Sequence, residues 1–503
     1  MKKSIFFLFV FGFFVNAYSQ EALWTENYPS GSDYYNPKIF YEDENSFKVI
    51  GGIRIPTNGN QLKLGIIKYD ISGNLISEQI FNHGFTDYKF DDLGHLYVMN
   101  LSGTVNLESN IVLRKYTLNG DLIWSDEIQQ TGYYYEPLSL FISENNTIFI
   151  TAKRYMMNYD NAIWDITHRL YAYDMDGNQL WERVLTGFTL DDSVVYNNEI
   201  YLIGYSSQNK KLMKVDTNNN LTLDVGISIG GISAKSIYLS QDNKLLTVDM
   251  FDYQITKLDL NGNVLWSVYY NPNSTYEKPA SLTQDENGNI YITGMAQIPD
   301  LSNTNILTLK IDNGGNIVWD NLFPEGKLPI GKTDGDIFFK NGYVYIGGES
   351  KGDSNFLVLK IDSQTGDLSG TYRFNGVEGS TVTSLYVFDD NKVAITGNAY
   401  NDWPTFFWTT QLLSESSFSV ENPEYLENVK LYPNPLHENQ LLTIEAENLK
   451  SYTVYSLTGQ LLQQGKFESG SAHTLQLQSL KKGVYLLKLN AEKHTLTKKI
   501  VIR

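Results

Sequence analysis

Seven carboxylates, Asp87, Glu136, Asp191, Asp192, Glu277, Asp334 and Asp336, stand beside segments that join one repeated unit of this chain to the next. Two carboxylates at a suitable separation hydrolyse a glycosidic bond, one protonating the leaving oxygen while the other acts as base or nucleophile. A secreted polysaccharide-processing enzyme, a hydrolase or a lyase, is therefore one reading. Other catalytic ingredients are sparse. Only His83, His95 and His168 lie within residues 20–413, without metal-ligand spacing among them, and no nucleophile elbow or phosphate loop occurs. Cysteine is absent, which excludes disulfides, thiolate metal sites and anchoring through a lipid-modified cysteine.

Aromatic residues offer a different chemistry. Tyr34 and Tyr35 precede Pro37, Tyr133 to Tyr135 precede Pro137, and Tyr276 precedes Pro279; Tyr155, Tyr159, Trp164 and Trp403 stand in longer loops. Flat rings of this kind stack on sugars or peptide groups. The leading expectation is thus a non-catalytic module binding glycan or protein through Tyr34, Tyr35, Tyr134, Tyr135, Tyr155, Tyr159, Trp164, Tyr276 and Trp403. The competing view is that the crossing tyrosines cover the ends of inner strands. No cofactor is expected, with calcium around Asp160 and Asp165 as the alternative.

These residues hang on a repeated frame. The stretch ITKLDLNGNVLWSVYY at residues 255–270 recurs with variation from Ile66, Leu113, Leu170, Leu212, Leu307 and Phe356, a spacing of about fifty residues that suits propeller blades. Each copy is a strand, an Asp, an Asn-Gly type turn and a second strand. A further eight strands, from FKVIGG at Phe47 to VAITG at Val393, lie between the seven hairpins. The surplus has a specific resolution: residues 406–413 lack a returning strand, while residues 22–29 resemble a returning strand without a hairpin. Joining them closes a ring and removes two open edges. The expected fold class is all-β, an eight-bladed β-propeller of four-stranded blades over residues 20–413, with the N-terminal strand closing the last blade. Short turns then mark one face. Binding is expected on the other, where loops vary and the longest spans residues 153–167.

Within the repeat, Trp24, Trp124, Trp181, Trp266 and Trp319 share one position and are read as packing between blades rather than as sugar platforms. Asp70, Asp174, Asp216, Asp259, Asp312 and Asp362 each precede a turn and are read as turn caps rather than calcium ligands. The repeated tryptophans resemble the tryptophan-docked repeats of quinoprotein propellers. That resemblance implies a quinone-dependent oxidoreductase as a third reading, although the chain has neither a vicinal cysteine pair nor an extra catalytic insert.

The two ends carry an address. Residues 1–19, with Lys2, Lys3, an apolar run over 5–15, and Ala17 and Ser19 at the small positions, read as a signal peptide too short to remain as a span. Net charge is −18; two lysines in the signal and a surplus of five positive charges in residues 428–503 leave −25 on residues 20–427. Such a charge disfavours nucleic acid or an anionic membrane surface as partner. Residues 414–427 are polar and aperiodic and read as a linker. From Asn428 the strings LYPNP, YTVYSLTGQLL and LKKGVYLLKL, closing on KKIVIR, resemble the type A C-terminal sorting domain of the type IX secretion system. The resemblance implies a small β-sandwich over residues 428–503, recognition by that machinery, and transport of a periplasmic protein of a Bacteroidota-type bacterium to the cell surface or beyond. No transmembrane segment is expected in the mature chain.

Overall fold

The computed structural model describes residues 21–29, 37–54, 62–103, 109–157, 163–207, 209–227, 234–249, 253–271, 276–297, 305–324, 326–328, 336–351, 355–374, 381–400, 406–418, 429–437, 440–446, 449–456, 461–468, 470–477, 480–491 and 495–503. The chain divides into a unit up to Ser419 and a second from Val420.

The larger unit is all-β and propeller-like. Its described residues form eight antiparallel sheets taken in chain order. Six have four strands in simple up-and-down order, as in the third, where Tyr134–Ile142, Ile148–Met157, Ile163–Tyr173 and Gln179–Leu185 follow one another. In the seventh the inner position is divided between Gly326–Lys327 and Ile337–Lys340, both pairing with Tyr343–Ser350. The eighth takes its outer strand from the other end of the chain: Trp24–Pro29 pairs antiparallel with Phe406–Leu413, from Trp24 opposite Leu412 to Pro29 opposite Phe407.

The repeated Asp, Asn and Gly form the turn itself. Asp174 accepts the amides of Asp176 (3.0 Å) and Asn178 (2.8 Å) on one carboxylate oxygen and the Asn178 side chain (2.8 Å) on the other. Gly177 in the same turn has φ +88°, where a side chain is strained. The same arrangement recurs at Asp70, Asp216, Asp259 and Asp312, each closed by an Asn four residues on. Hydrogen bonding from that asparagine heads the causes that hold Asp70 and Asp174 below the usual carboxylate range. Asp91 and Asp285 build similar turns on the preceding hairpin, with His95 and Asn289 as closing residues.

Five of the eight sheets then fasten to the next through an outer tryptophan. The indole Nε1 of Trp24, Trp124, Trp181, Trp266 and Trp319 donates to the carbonyl of Ile71, Met175, Thr217, Asn313 and Ser363 respectively, at 2.8–3.1 Å. In every case the acceptor follows the turn Asp of the succeeding sheet. The turn glycine lies against the indole: a Cβ on Gly177 would come within 2.7 Å of Trp124, and one on Gly366 within 2.7 Å of Trp319. These tryptophans therefore serve packing.

Apolar cores lie between successive sheets because both faces of each strand pair are covered. One core joins Tyr97, Met99 and Ile111 of the second sheet to Ile148, Ile150 and Tyr171 of the third. Another joins Phe47, Val49 and Ile67 of the first to Ala394, Trp408 and Leu412 of the eighth. Polar links span the same seam, with Lys38 Nζ donating to the Thr383 carbonyl (3.0 Å) and Thr383 Oγ1 to the Pro37 carbonyl (2.7 Å).

The stretch read as a linker begins inside this unit. Residues 414–418 replace the missing turn of the eighth sheet: Ser417 Oγ donates to the Glu21 carbonyl (2.6 Å). Gly370 stands opposite Lys360, the register at which Trp319 stands opposite Lys310, and a Cβ there would approach Phe418 to 2.9 Å. Phe418 thus fills the place that a tryptophan takes elsewhere.

In the second unit, strands Lys430–Tyr432, Leu441–Glu445 and Ala472–Gln476 form one sheet, and Leu461–Lys466, Leu449–Ser456, Gly483–Ala491 and Thr495–Ile502 form another. They share a core including Leu442, Ile444, Val454, Leu487 and Ile500. Asn434 of the LYPNP string binds the last strand, accepting from the Val501 amide (2.9 Å) and donating to the Lys499 carbonyl (2.8 Å). Among the described residues no helix is long and apolar enough to cross a membrane.

Candidate functional site

The third sheet carries the candidate site because its middle strands are the longest of the larger unit, ten and eleven residues. Tyr134, at the start of the inner strand, pairs in register with Tyr155 near the end of the second. Their rings stack with centroids 5.7 Å apart and planes 11° from parallel. Both are half-buried, leaving part of the pair open. Lys153 extends the patch, with its ammonium 5.6 Å from the Tyr155 ring centroid and 2.9 Å from Glu136. This offers a flat apolar surface edged by a cation and an anion, suited to stacking plus hydrogen bonding.

Tyr135 behaves differently from its neighbour. It is 4% exposed and belongs to the core between the second and third sheets, since successive residues of a strand face opposite sides. Its ring serves packing, and the stacking surface in this sheet consists of Tyr134 and Tyr155. The backbones of Trp164 and Tyr276 lie in described strands, in Ile163–Tyr173 and Tyr276–Gln284. Tyr34, Tyr35, Tyr159 and Trp403 lie outside the described residues, as do Asp160 and Asp334. Asp165 is exposed, with φ 50°.

The carboxylates singled out for catalysis are engaged in the fold. Asp87, Asp192 and Asp336 occupy one equivalent place, five residues or fewer before the end of the inner strand of their sheets. Each accepts a main-chain amide of the succeeding sheet: Leu140 at 2.8 Å, Ile237 at 3.0 Å and Leu385 at 3.0 Å. Ser384 Oγ donates to Asp336 (3.0 Å) and accepts the Ile39 amide (3.1 Å), carrying the link from the eighth sheet to the first. Asp191 forms a buried ion pair with Lys210 at 3.0 Å, and Glu277, 7% exposed, is also engaged.

The histidines are structural in the same sense. His83 stacks on Tyr116 with centroids 5.6 Å apart, accepts or donates at the Tyr116 hydroxyl, and meets the Gly84 carbonyl at 2.9 Å. Burial lowers its pKa. His168, 7% exposed, is lowered first by burial and then by the Lys153 charge. His95 meets Asp91 at 2.9 Å within a turn. Sequence reasoning passed over Lys153 and Arg154, which open the segment read as the longest loop and lie in the strand Ile148–Met157.

Residues 430–503 match the family model described as the secretion system C-terminal sorting domain. The chain is accordingly a type IX secretion cargo, destined for the cell surface or the exterior. Sequence comparison with curated proteins finds no match. Solved structures that it resembles include PorZ, a surface component of the type IX secretion system of Porphyromonas gingivalis, at 10% identity and TM-score 0.28, covering 95% of this chain and 100% of that one. A putative 6-phosphogluconolactonase from Bacteroides fragilis has 12% identity and TM-score 0.39, covering 65% and 94%. The quinone-bound aldose sugar dehydrogenase of Streptomyces coelicolor has 10% identity and TM-score 0.28, covering 56% and 99%. Likenesses of this degree carry no argument about activity.

Proposed function

We propose that the eight sheets close as an eight-bladed propeller, sealed by the N-terminal strand, and that this exported propeller binds an extracellular glycan or protein through the loop end of its third blade. The observation that carries the reading is the stacked, half-buried Tyr134–Tyr155 pair on the longest hairpin of the larger unit. Two further features support it. The repeat tryptophans are engaged in packing, and the described carboxylates each have partners within the fold, which favours binding over hydrolysis or elimination. Glycan-array and pull-down screens of the mature chain test this directly. A ligand retained by wild type and lost in Tyr134→Ala/Tyr155→Ala is expected; absence of any ligand above background counts against it.

A further inference from the structure

Arg154 and Arg169 form an unusual pair on the other side of the same hairpin. Arg154 continues the row Ile148, Ile150, Ala152, and Arg169 continues the row Tyr173, Tyr171; both rows face the second sheet. Ala152 pairs with Arg169 and Arg154 with Thr167, which places the two arginines diagonally, two residues apart along the strands. Arg154 is 9% exposed and Arg169 7%. A guanidinium stays protonated in a protein and presents five donors, so two full charges are held out of water here.

Their partners do not balance them. Arg169 meets the Glu182 carboxylate at the rim. Among the described residues, Arg154 meets the neutral side-chain oxygen of Gln130, with its guanidinium carbon 3.9 Å from the centroid of Tyr133. Among the described residues, the buried Nε of each arginine has no hydrogen-bond partner. Burial, with the like charge of Arg154 adding to it, pulls Arg169 below its ordinary pKa. Buried charges normally occur paired and hydrogen-bonded, because an uncompensated one is costly. Among the described residues, one carboxylate serves two guanidiniums, which leaves room for a second anion. Beside the pair, Gln130, Thr131 and Gly132 are exposed and Tyr133 is half-buried.

Resting on the binding role proposed above, we propose that Arg154 and Arg169 form an oxyanion subsite for a carboxylate or sulfate carried by an extracellular polysaccharide, with Gln130 as the neutral group the anion displaces. The planar forks of two arginines suit such oxyanions. A polymer crossing the end of the third sheet would meet this pair on one side and the Tyr134–Tyr155 rings on the other. A glycan fits better than an acidic protein because stacking rings and an anion subsite alternate across one sheet thickness, as neutral ring and anionic substituent alternate along a sugar chain. Residues 20–427 carry −25, so the surrounding field opposes polyanions and the attraction must be local, made at the two guanidiniums.

Two measurements on the mature chain test the subsite. In the first, the thermal midpoint is followed with sodium glucuronate and sodium sulfate against sodium chloride at equal ionic strength. Sulfate stabilises proteins generally by exclusion, so the readout is the difference between chains: wild type is expected to gain several degrees more with either oxyanion than Arg154→Gln/Arg169→Gln does, and equal gains in the two would overturn the proposal. In the second, binding to pectate and alginate is compared with carboxyl-reduced pectate, carrageenan and polyglutamate. Carboxyl reduction and the double arginine variant should each weaken pectate or alginate binding about tenfold or more, as loss of a charge-assisted contact does. Polyglutamate binding as strong as pectate would replace the glycan by an acidic protein. Binding that survives carboxyl reduction yet is lost in Tyr134→Ala/Tyr155→Ala would remove the oxyanion subsite while leaving the glycan-binding role in place.

Discussion

Removing the Trp319 indole tests how the sheets are held together. Trp319 is 9% exposed, its Nε1 donates to the Ser363 carbonyl at 3.1 Å, and its ring lies 6.0 Å from that of Tyr291 and against Gly366 of the following turn. Trp319→Ala deletes a buried aromatic between two sheets, which costs about 3–5 kcal/mol. Trp319→Phe keeps most of the packing and loses one hydrogen bond. Its acceptor stays satisfied, because Lys310 Nζ also donates to the Ser363 carbonyl at 2.8 Å. The phenylalanine variant should therefore cost only about 1 kcal/mol. Urea unfolding of the mature chain, followed by tryptophan fluorescence and circular dichroism, would show the difference as a shift in midpoint at constant m. A Trp319→Ala loss below about 1 kcal/mol, or a Trp319→Phe loss equal to it, would refute the docking of successive sheets through this residue.

Other perturbations follow from single contacts. Asp285 is 4% exposed and accepts from the amides of Asn287 and Asn289, the Asn289 side chain and the Tyr291 hydroxyl, so Asp285→Ala should lower stability by about 1–3 kcal/mol in the same urea assay. A chain cut after Leu413 should unfold at lower urea than one cut after Ser419, and Phe418→Ala should reproduce about 1–2 kcal/mol of that loss; equal midpoints would place residues 414–418 outside the folded unit. His83 is held neutral by burial, so the unfolded chain binds the extra proton first as pH falls. Stability should be full above about pH 6.5 and decline from there toward the lowered folded pKa. His83→Gln should flatten that limb of the stability–pH curve, and an unchanged slope would locate the titration elsewhere.

Much of the frame was legible because its determinants are local. An Asp followed by Asn-Gly writes its own hairpin, and the tryptophan one strand later reaches only as far as the next such turn. Pairing of the N-terminal strand with Phe406–Leu413 could be read from a simple mismatch, a returning strand without a hairpin and a hairpin without a return. Contacts between sheets were less visible. Asp87, Asp192 and Asp336 look catalytic in a sequence; each is bound to an amide roughly fifty residues further on, a distance that no local pattern reports. Tyr134 and Tyr135 look equivalent, yet strand alternation sends one toward Tyr155 and the other into the core. Residues 414–418 look like linker because they are polar, and the cue to their docking was remote: Gly370 stands where most repeats carry tryptophan.

The most direct measurement of the proposed role is the affinity of the mature chain for its tightest glycan or protein ligand from the screens, compared with Tyr134→Ala/Tyr155→Ala by calorimetry. Both side chains are half-buried at a sheet end, so the variant should keep its thermal midpoint within a few degrees while affinity falls about 10- to 100-fold, the scale of losing a central aromatic contact. Unchanged affinity in a folded variant would place the binding surface elsewhere on the molecule and contradict the assignment.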